Sequence, residues 1–395
     1  MKYITRGTPA FRKSNFALFV GGFTTFAILY CTQPLMPVLS EEFHISPAVA
    51  SLSMSLTTMT LAFSMLMMGS LSEAWGRKSI MVFSLFTVSI VMVLTALSPS
   101  YHMLLVFRIL QGIIMAGLPA IAMAYLGEEI EPNSAGVAMG LYISGNSIGG
   151  MGGRIITGML TDYFNWRTAI IGIGVLGLIC SFIFLVLLPR SNNFQPRPLN
   201  MGKLIKSLIA HLRNPHLICL YGLAFLFMGS FVTLYNYIGF QLLAPPYSLS
   251  YSLVGWIFIV YLVGAFSSVF MGRLVDTYGR HNVMWVVLIV IFLGACITLN
   301  DILWVKIFGV AVFTFGFFGG HSIASSWVVS IAENNRAQAS SLYLFFYYLG
   351  SSISGTIGGV FWTAYGWIGV IGLIMALLLL AVFLTKRLSS IERSC

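Results

Sequence analysis

Acidic side chains are scarce in this chain. Only 11 Asp and Glu stand among 395 residues, and charged residues of both signs make up 8% of the total. Water-soluble domains of this combined length need far more polar surface, so an assembly of two or three of them is excluded. Histidine is sparse as well, six in all and dispersed. The acids fall in loops or at helix ends, so the clustered acids, histidines or metal ligands that a membrane-embedded enzyme needs are missing. No enzyme activity, metal ion or cofactor is expected. The five cysteines (Cys31, Cys180, Cys219, Cys296, Cys395) are odd in number and scattered. They read as small packing residues, not as a disulfide or metal framework.

What the chain has instead is apolar length. Hydrophobic residues make up 58% and the mean hydropathy is +0.91, the composition of an integral membrane protein. Runs long enough to cross the hydrocarbon core fall near 15–36, 47–70, 79–97, 103–126, 135–160 and 167–188. A second set follows near 215–238, 250–271, 282–299, 304–330, 338–361 and 366–385. Uninterrupted runs exclude alternating β-barrel strands, and the fold class is all-α with twelve transmembrane helices.

The net charge of +10 reports topology. Lys2, Arg6, Arg12 and Lys13 precede the first span, Arg77 and Lys78 follow the second, and Arg190, Arg197, Lys203, Lys206 and Arg213 fill the longest loop. Arg273, Arg280, Arg336, Lys386, Arg387 and Arg393 continue that side, while Arg167 and Lys306 stand on the other. The positive-inside rule then puts both termini in the cytoplasm. These charges suit anionic lipid headgroups, and nothing argues for nucleic acid. The polar, basic N-terminus runs into a full-length span with no small-residue cleavage pattern, and is read as retained.

The chain also repeats itself. "AFSMLMMGSLSEAWGRKSIM" (62–81) matches "AFSSVFMGRLVDTYGRHNVM" (265–284) without a gap, with Glu73 opposite Asp276. "GNSIGGMGG" (145–153) meets "GSSISGTIGG" (350–359), and Glu128 meets Glu333. Two six-helix units of the same orientation follow, parallel repeats about an axis along the membrane normal. The halves are 1–189 and 215–395, joined by a cytoplasmic linker at 190–214 rich in Pro, Asn and Lys/Arg. Within the repeated loop, Gly69, Gly76, Gly272 and Gly279 permit tight turns and close approach. Glu73 and Arg77, like Asp276 and Arg280, stand four apart, which favours ion pairing in a helix. These eight residues are expected to latch neighbouring helices in one conformation; surface ion pairs of little energy are the alternative.

"GSLSEAWGRKSIM" resembles the loop motif G-x-L-x-D-x-x-G-R-K of the major facilitator superfamily, with Glu73 for aspartate. "RILQG" (108–112) resembles that superfamily's fourth-helix motif, and "GNSIGGMGGR" is similar to the fifth-helix motif of its exporters, G-x-x-x-G-P-x-x-G-G. With "YCTQPLMPVLSEEF" (30–43), the chain looks most like bacterial arabinose-efflux-type and drug:proton antiporter permeases. The resemblance implies alternating access by two rocking halves, a bacterial cytoplasmic (inner) membrane and a monomer. Two departures stand out: the exporter motif's proline is Gly150 and its last glycine is Arg154, and the embedded carboxylate of many proton-coupled members is absent.

Gly145, Gly149 and Gly153 recur every four residues and line one helix face. With Gly150 they are read as a hinge or sliding seam between the halves, with ordinary helix packing as the alternative. Arg154 lies ~28 Å along the fifth span at ~1.5 Å per residue. A charge there needs water, a partner or a cavity; it either faces what is transported or snorkels and pairs with Asp162. Arg108 shares a face with Gln111. Two membrane arginines suit a carboxylate or phosphate, and for Arg108 a structural role on backbone carbonyls is the rival. Tyr30, Gln33, Asn146, Tyr235, Asn236, His321 and Tyr347 complete the candidate substrate residues, from spans that line the cavity in the family. A histidine can change charge near neutral pH, which makes His321 the candidate for proton coupling; a core histidine bonded to Ser325 is the alternative.

The functional expectation is a secondary active transporter exporting a small organic solute or drug in exchange for protons. No Walker loop is present, so an ion gradient supplies the energy. The alternative is a proton-coupled transporter of an organic anion using Arg108 and Arg154. A membrane-embedded enzyme or a channel stands further off, since a passive pore has no use for a duplicated latch.

Overall fold

Proline and small polar residues decide where each helix begins. In the computed structural model, which describes residues 3–194, 201–332 and 335–393 (side chains at 69, 70, 73–75, 201, 203, 392 and 393 excepted), α1 spans Pro9–Tyr30. Thr8 caps it, its Oγ1 accepting from the Phe11 amide at 3.2 Å, and Pro9 takes the first turn, where no amide donor is needed. The helix is six residues earlier than the apolar run alone placed it. Pro34 has no amide to donate and disfavours helical backbone at Gln33, so the span breaks at 31–35 and resumes as Met36–Glu42.

Five more spans follow in the first half. They are α2 (Pro47–Trp75), α3 (Arg77–Ala96), α4 (Tyr101–Met115, resuming as Pro119–Glu129), α5 (Pro132–Tyr163) and α6 (Trp166–Leu187). Asn165 caps α6 through the Thr168 amide at 2.8 Å. A short helix, Met201–Leu212, leads to α7 (Pro215–Leu243), whose cap Asn214 accepts from His216 and Leu217. Then come α8 (Tyr251–Ile257, a 3-10 turn at Phe258–Val260, and Tyr261–Tyr278), α9 (Arg280–Ile297) and α10 (Leu303–Ile331). The final helix, Arg336–Arg393, is broken at Gly366 with φ 59°, giving α11 (336–365) and α12 (367–393). Twelve spans result, and the one extended pairing among the described residues is a bridge between Ile4 and Ile130. The chain is a multi-pass, all-α membrane protein.

The duplication is visible in the backbone. Gly76 and Gly279 both adopt positive φ, 93° and 80°, a region L side chains rarely enter. Each ends one helix and starts the next with an arginine. The spacing of Asp276 and Arg280 therefore does not make an ion pair: the helix breaks between them, the four-residue rule needs one continuous helix, and Arg280 Nη1 instead donates to Ser330 Oγ at 2.5 Å. Gly272 has open space beside it. Gly69 and Glu73 lie outside the described side chains, and Glu333 outside the described residues.

Two compact units emerge. The first comprises Met1–Val38, Leu56–Asn200 and Tyr251–Trp256; the second, Leu39–Ser55, Met201–Ser250 and Ile257–Cys395. In the first unit the glycines of α5 lie against α1. A Cβ on Gly145, Gly149 or Gly153 would come within 2.3, 2.2 and 2.6 Å of Phe19, Phe23 and Ala27 backbone atoms. The second unit repeats the device, with Gly350 of α11 backing onto the Phe225 carbonyl of α7 at 2.1 Å. The expected seam between halves is thus, for these three glycines, a seam inside the first unit. Without side chains, backbones approach closely, and dispersion replaces the hydrophobic drive that lipid does not supply.

Gly149→Val should overpack this contact and lower stability by ~1–3 kcal/mol or more, while Gly140→Ala, where a Cβ meets nothing within 4 Å, should be tolerated. Thermal melting of both variants in detergent checks this; equal melting temperatures would contradict it.

Candidate functional site

Ending a helix inside a membrane protein strands its last carbonyls. At the break in the first span, residues 31–37 are buried, so water is not their partner. Arg108, on α4 and fully buried, supplies the donors. Its Nη2 donates to the Leu29 carbonyl at 2.8 Å, and its Nη1 to the Ile28 carbonyl at 3.1 Å and to Gln111 Oε1 at 2.6 Å. Gln111 in turn donates to Thr95 Oγ1 on α3 at 2.8 Å. One guanidinium therefore ties α1, α3 and α4 together.

Arg154 works on the other side of the break. It is 1% exposed, too deep to snorkel. Its Nε donates to Gln33 Oε1 at 2.7 Å and its Nη1 to the Gly150 carbonyl one turn back at 2.7 Å. The Tyr30 ring lies 4.0 Å from the guanidinium carbon, a cation–π distance. Gln33, the Gly150 carbonyl and the Tyr30 ring all solvate the guanidinium. Gly150 opens the space: a Cβ there would sit 3.4 Å from Arg154 Nη1 and 3.5 Å from the Tyr30 ring. Asn146 is placed apart, its Oδ1 directed at Gly22 of α1, where a Cβ would come within 2.2 Å.

The second unit holds an aromatic cluster. Tyr235, 1% exposed, shares a hydrogen bond with Thr314 Oγ1 at 2.7 Å and packs on Phe231 at 4.7 Å between centroids. Phe231 stacks on Phe317 at 3.8 Å, and Phe317 lies parallel to His321 at 6.1 Å. His321 has Tyr347 at 4.7 Å, and its Nδ1 meets Tyr343 Oη at 3.0 Å. Tyr343, on α11, takes the place expected of Ser325, whose hydroxyl donates to the Ser322 carbonyl. Tyr343 Oη also reaches the His321 carbonyl at 3.3 Å, and both contacts are satisfied together when Nδ1 carries the ring proton. Asn236 sits elsewhere, against Gly355 of α11.

The sequence-derived candidates thus form separate groups. Tyr30, Gln33 and Arg154 meet in the first unit beside the pair Arg108 and Gln111; Tyr235, His321 and Tyr347 meet in the second. Sequence reasoning missed Tyr343, one of several tyrosines in an aromatic run, and it misplaced Lys306. Counted among exposed loop charges, Lys306 is 1% exposed. Its Nζ donates to the Thr298 carbonyl at the end of α9 at 2.5 Å and lies 5.4 Å from the Trp367 ring. A lysine shortly after a helix end is a readable signal, because cations stabilise helix C-termini. Arg77 has a partner that sequence reasoning did not assign to it. It is 6% exposed and pairs with Glu128 through Nη2 at 2.7 Å.

A family model described as the Major Facilitator Superfamily matches residues 18–248 and 226–393. The chain belongs to that superfamily. It is 57% identical over 389 residues to the MFS-type transporter YybF of Bacillus subtilis (strain 168), covering 98% of this chain and 96% of that one. With the inner membrane transport protein YnfM of Escherichia coli (strain K12) it shares 46% identity over 387 residues, 98% and 93% of the two chains. With the multi-drug resistance efflux pump PmrA of Streptococcus pneumoniae it shares 26% over 283 residues, 67% of each. The twelve spans in two repeated sets are the major facilitator fold. The chain is a membrane transporter, not an enzyme.

Arg108→Met should leave the Leu29 carbonyl and Gln111 Oε1 without their donor, and the Ile28 carbonyl with only the weak Cys31 thiol, at ~1–3 kcal/mol for each buried group left unsatisfied. The expected outcome is a much lower detergent melting temperature and yield. An unchanged melting temperature would show that the carbonyls do not depend on it.

Proposed function

We propose that the chain is a secondary active transporter working by alternating access, exporting a small organic solute or drug in exchange for protons across the bacterial cytoplasmic membrane, with both termini cytoplasmic and the monomer as the working unit. The observation that carries this reading is the broken first span, which presents Tyr30 and Gln33 to the buried guanidinium of Arg154. Discontinuous helices form binding sites in secondary transporters because freed polar groups there can meet a substrate. The fifth-helix motif and the likeness to an efflux pump support the outward direction. Arg108 acts as a brace, its donors taken by backbone and Gln111. His321, joined to Tyr343, is the candidate for proton coupling. Asn146, Tyr235, Asn236 and Tyr347 extend the substrate path within their own units, Gly145, Gly149, Gly150 and Gly153 let α5 move along α1, and the Gly76–Arg77 and Gly279–Arg280 turns serve as latches.

One observation favours a second reading, transport of an organic anion. Arg154 sets a fully buried guanidinium beside the broken first span, and a guanidinium holds a carboxylate or phosphate with bidentate geometry.

Proteoliposomes with a lumenal pH dye, offered neutral sugars, cationic drugs and organic anions with and without a pH gradient, separate these readings. Proton flux that depends on substrate is expected, and the responding panel identifies the class; substrate movement without proton flux contradicts the coupling. Arg154→Ala should abolish transport of an anion but only weaken that of a neutral drug. His321→Gln should remove the pH dependence, and retained coupling in that variant would refute the assignment.

A further inference from the structure

Away from the transport site, two cavities meet on α3 at the end of the first unit that carries the N-terminus. One, of about 500 Å³, is lined by Gly76, Arg77, Lys78, Ser79, Arg190 and Ser191 among others. Three of these are cations, and no acid is found among the described residues that line the cavity. Arg77 is neutralised by Glu128, which leaves the charges of Lys78 and Arg190 facing the space. Lys78 Nζ is anchored on the Leu188 carbonyl, while Arg190 is exposed. Ser191 Oγ is buried and has no hydrogen-bond partner. Two cations and an unsatisfied hydroxyl around one cavity form a receptor for a phosphate-bearing group.

The second cavity, of about 430 Å³, is almost wholly apolar and is lined by Met68, Leu71, Phe83, Ile113 and Ile114 with Ser79, Ile80 and Ser84. Phe83 and Ile113 are exposed side chains, at 66% and 41%, on spans of a membrane protein, so hydrocarbon is what they face. Ser79 lines both cavities. A cationic pocket and a lipid-facing groove that share one residue fit a molecule with an anionic head and an apolar chain.

We propose that this composite site binds an anionic phospholipid, its phosphate between Lys78 and Arg190 and an acyl chain along the Phe83 groove. The phosphate chemistry alone is common to a lipid and to free phosphate; the groove commits the site to the lipid. The assignment does not depend on what the transporter carries.

The test uses the full-length protein in detergent, with binding followed by native mass spectrometry and by melting temperature. The probes are dioleoyl phosphatidylglycerol, dioleoyl phosphatidylethanolamine and inorganic phosphate. Phosphatidylglycerol should bind most tightly and raise the melting temperature, and inorganic phosphate should leave it unchanged. Each cation removed should weaken phosphatidylglycerol binding about fivefold, so that Lys78→Gln with Arg190→Gln loses about 25-fold. Arg190→Gln alone removes an exposed side chain, so it keeps the test informative should the double variant fail to fold; Phe83→Ser should weaken the lipid as well. Variants that bind phosphatidylglycerol like the parent, equal binding of phosphatidylethanolamine, or an equal melting shift from inorganic phosphate would each overturn the proposal.

Discussion

The first span ends where there is no water to finish it. Backbone carbonyls at Ile28 and Leu29 need donors, and inside a membrane protein an unsatisfied carbonyl costs several kcal/mol, roughly. Arg108 meets that need from α4, and the rest of the first unit is arranged around the result. Because the guanidinium is fixed charge with donors in a planar fork, it can hold two successive carbonyls and Gln111 at once. Removing a span's continuity thereby becomes affordable, and the turn it frees carries Gln33 to Arg154.

Packing explains how Arg154 comes to be there. Glycines at 145, 149 and 153 let α5 lie on α1 at backbone distance, and Arg154 follows the last of them directly. A side chain at any of the three would push the helices apart and withdraw the guanidinium from Tyr30 and Gln33. Close approach and site geometry are therefore one feature. The same device recurs between Gly350 and Phe225 in the second unit, where the neighbouring elements carry aromatic rings and His321 in place of a second arginine. Duplication supplied two scaffolds, and the side chains on them diverged.

Much of this was legible in the sequence. Twelve apolar runs and a gapless internal match gave the fold, since glycine, acid and arginine do not keep register by shared hydrophobicity. The positive φ at Gly76 and Gly279 follows from the same match. Other features were not legible because they depend on where helices stop. Asp276 and Arg280 looked like a pair only while one helix was assumed to run through Gly279. The first span was placed six residues late because hydropathy registers neither the Thr8–Pro9 start nor the break before Pro34, although capping and proline chemistry do. Ser325 was the neighbour of His321 along the helix; Tyr343, its partner in space, comes from another span, and one sequence without tertiary contacts carries no sign of it. Lys306 reads as a loop charge until the end of α9 is seen beneath it.

The central claim is that the turn after Tyr30 and the guanidinium of Arg154 together hold the transported molecule. Gln33→Glu tests it directly, because it sets a carboxylate against Arg154 where a neutral amide now accepts its hydrogen bond. Isothermal titration of the purified variant with the solute that the wild type transports is the measurement. The account predicts a loss of affinity of about tenfold or more, equivalent to ~1.4 kcal/mol, in a protein that melts like the wild type. Unchanged affinity would place the substrate elsewhere and reduce Arg154, like Arg108, to a brace.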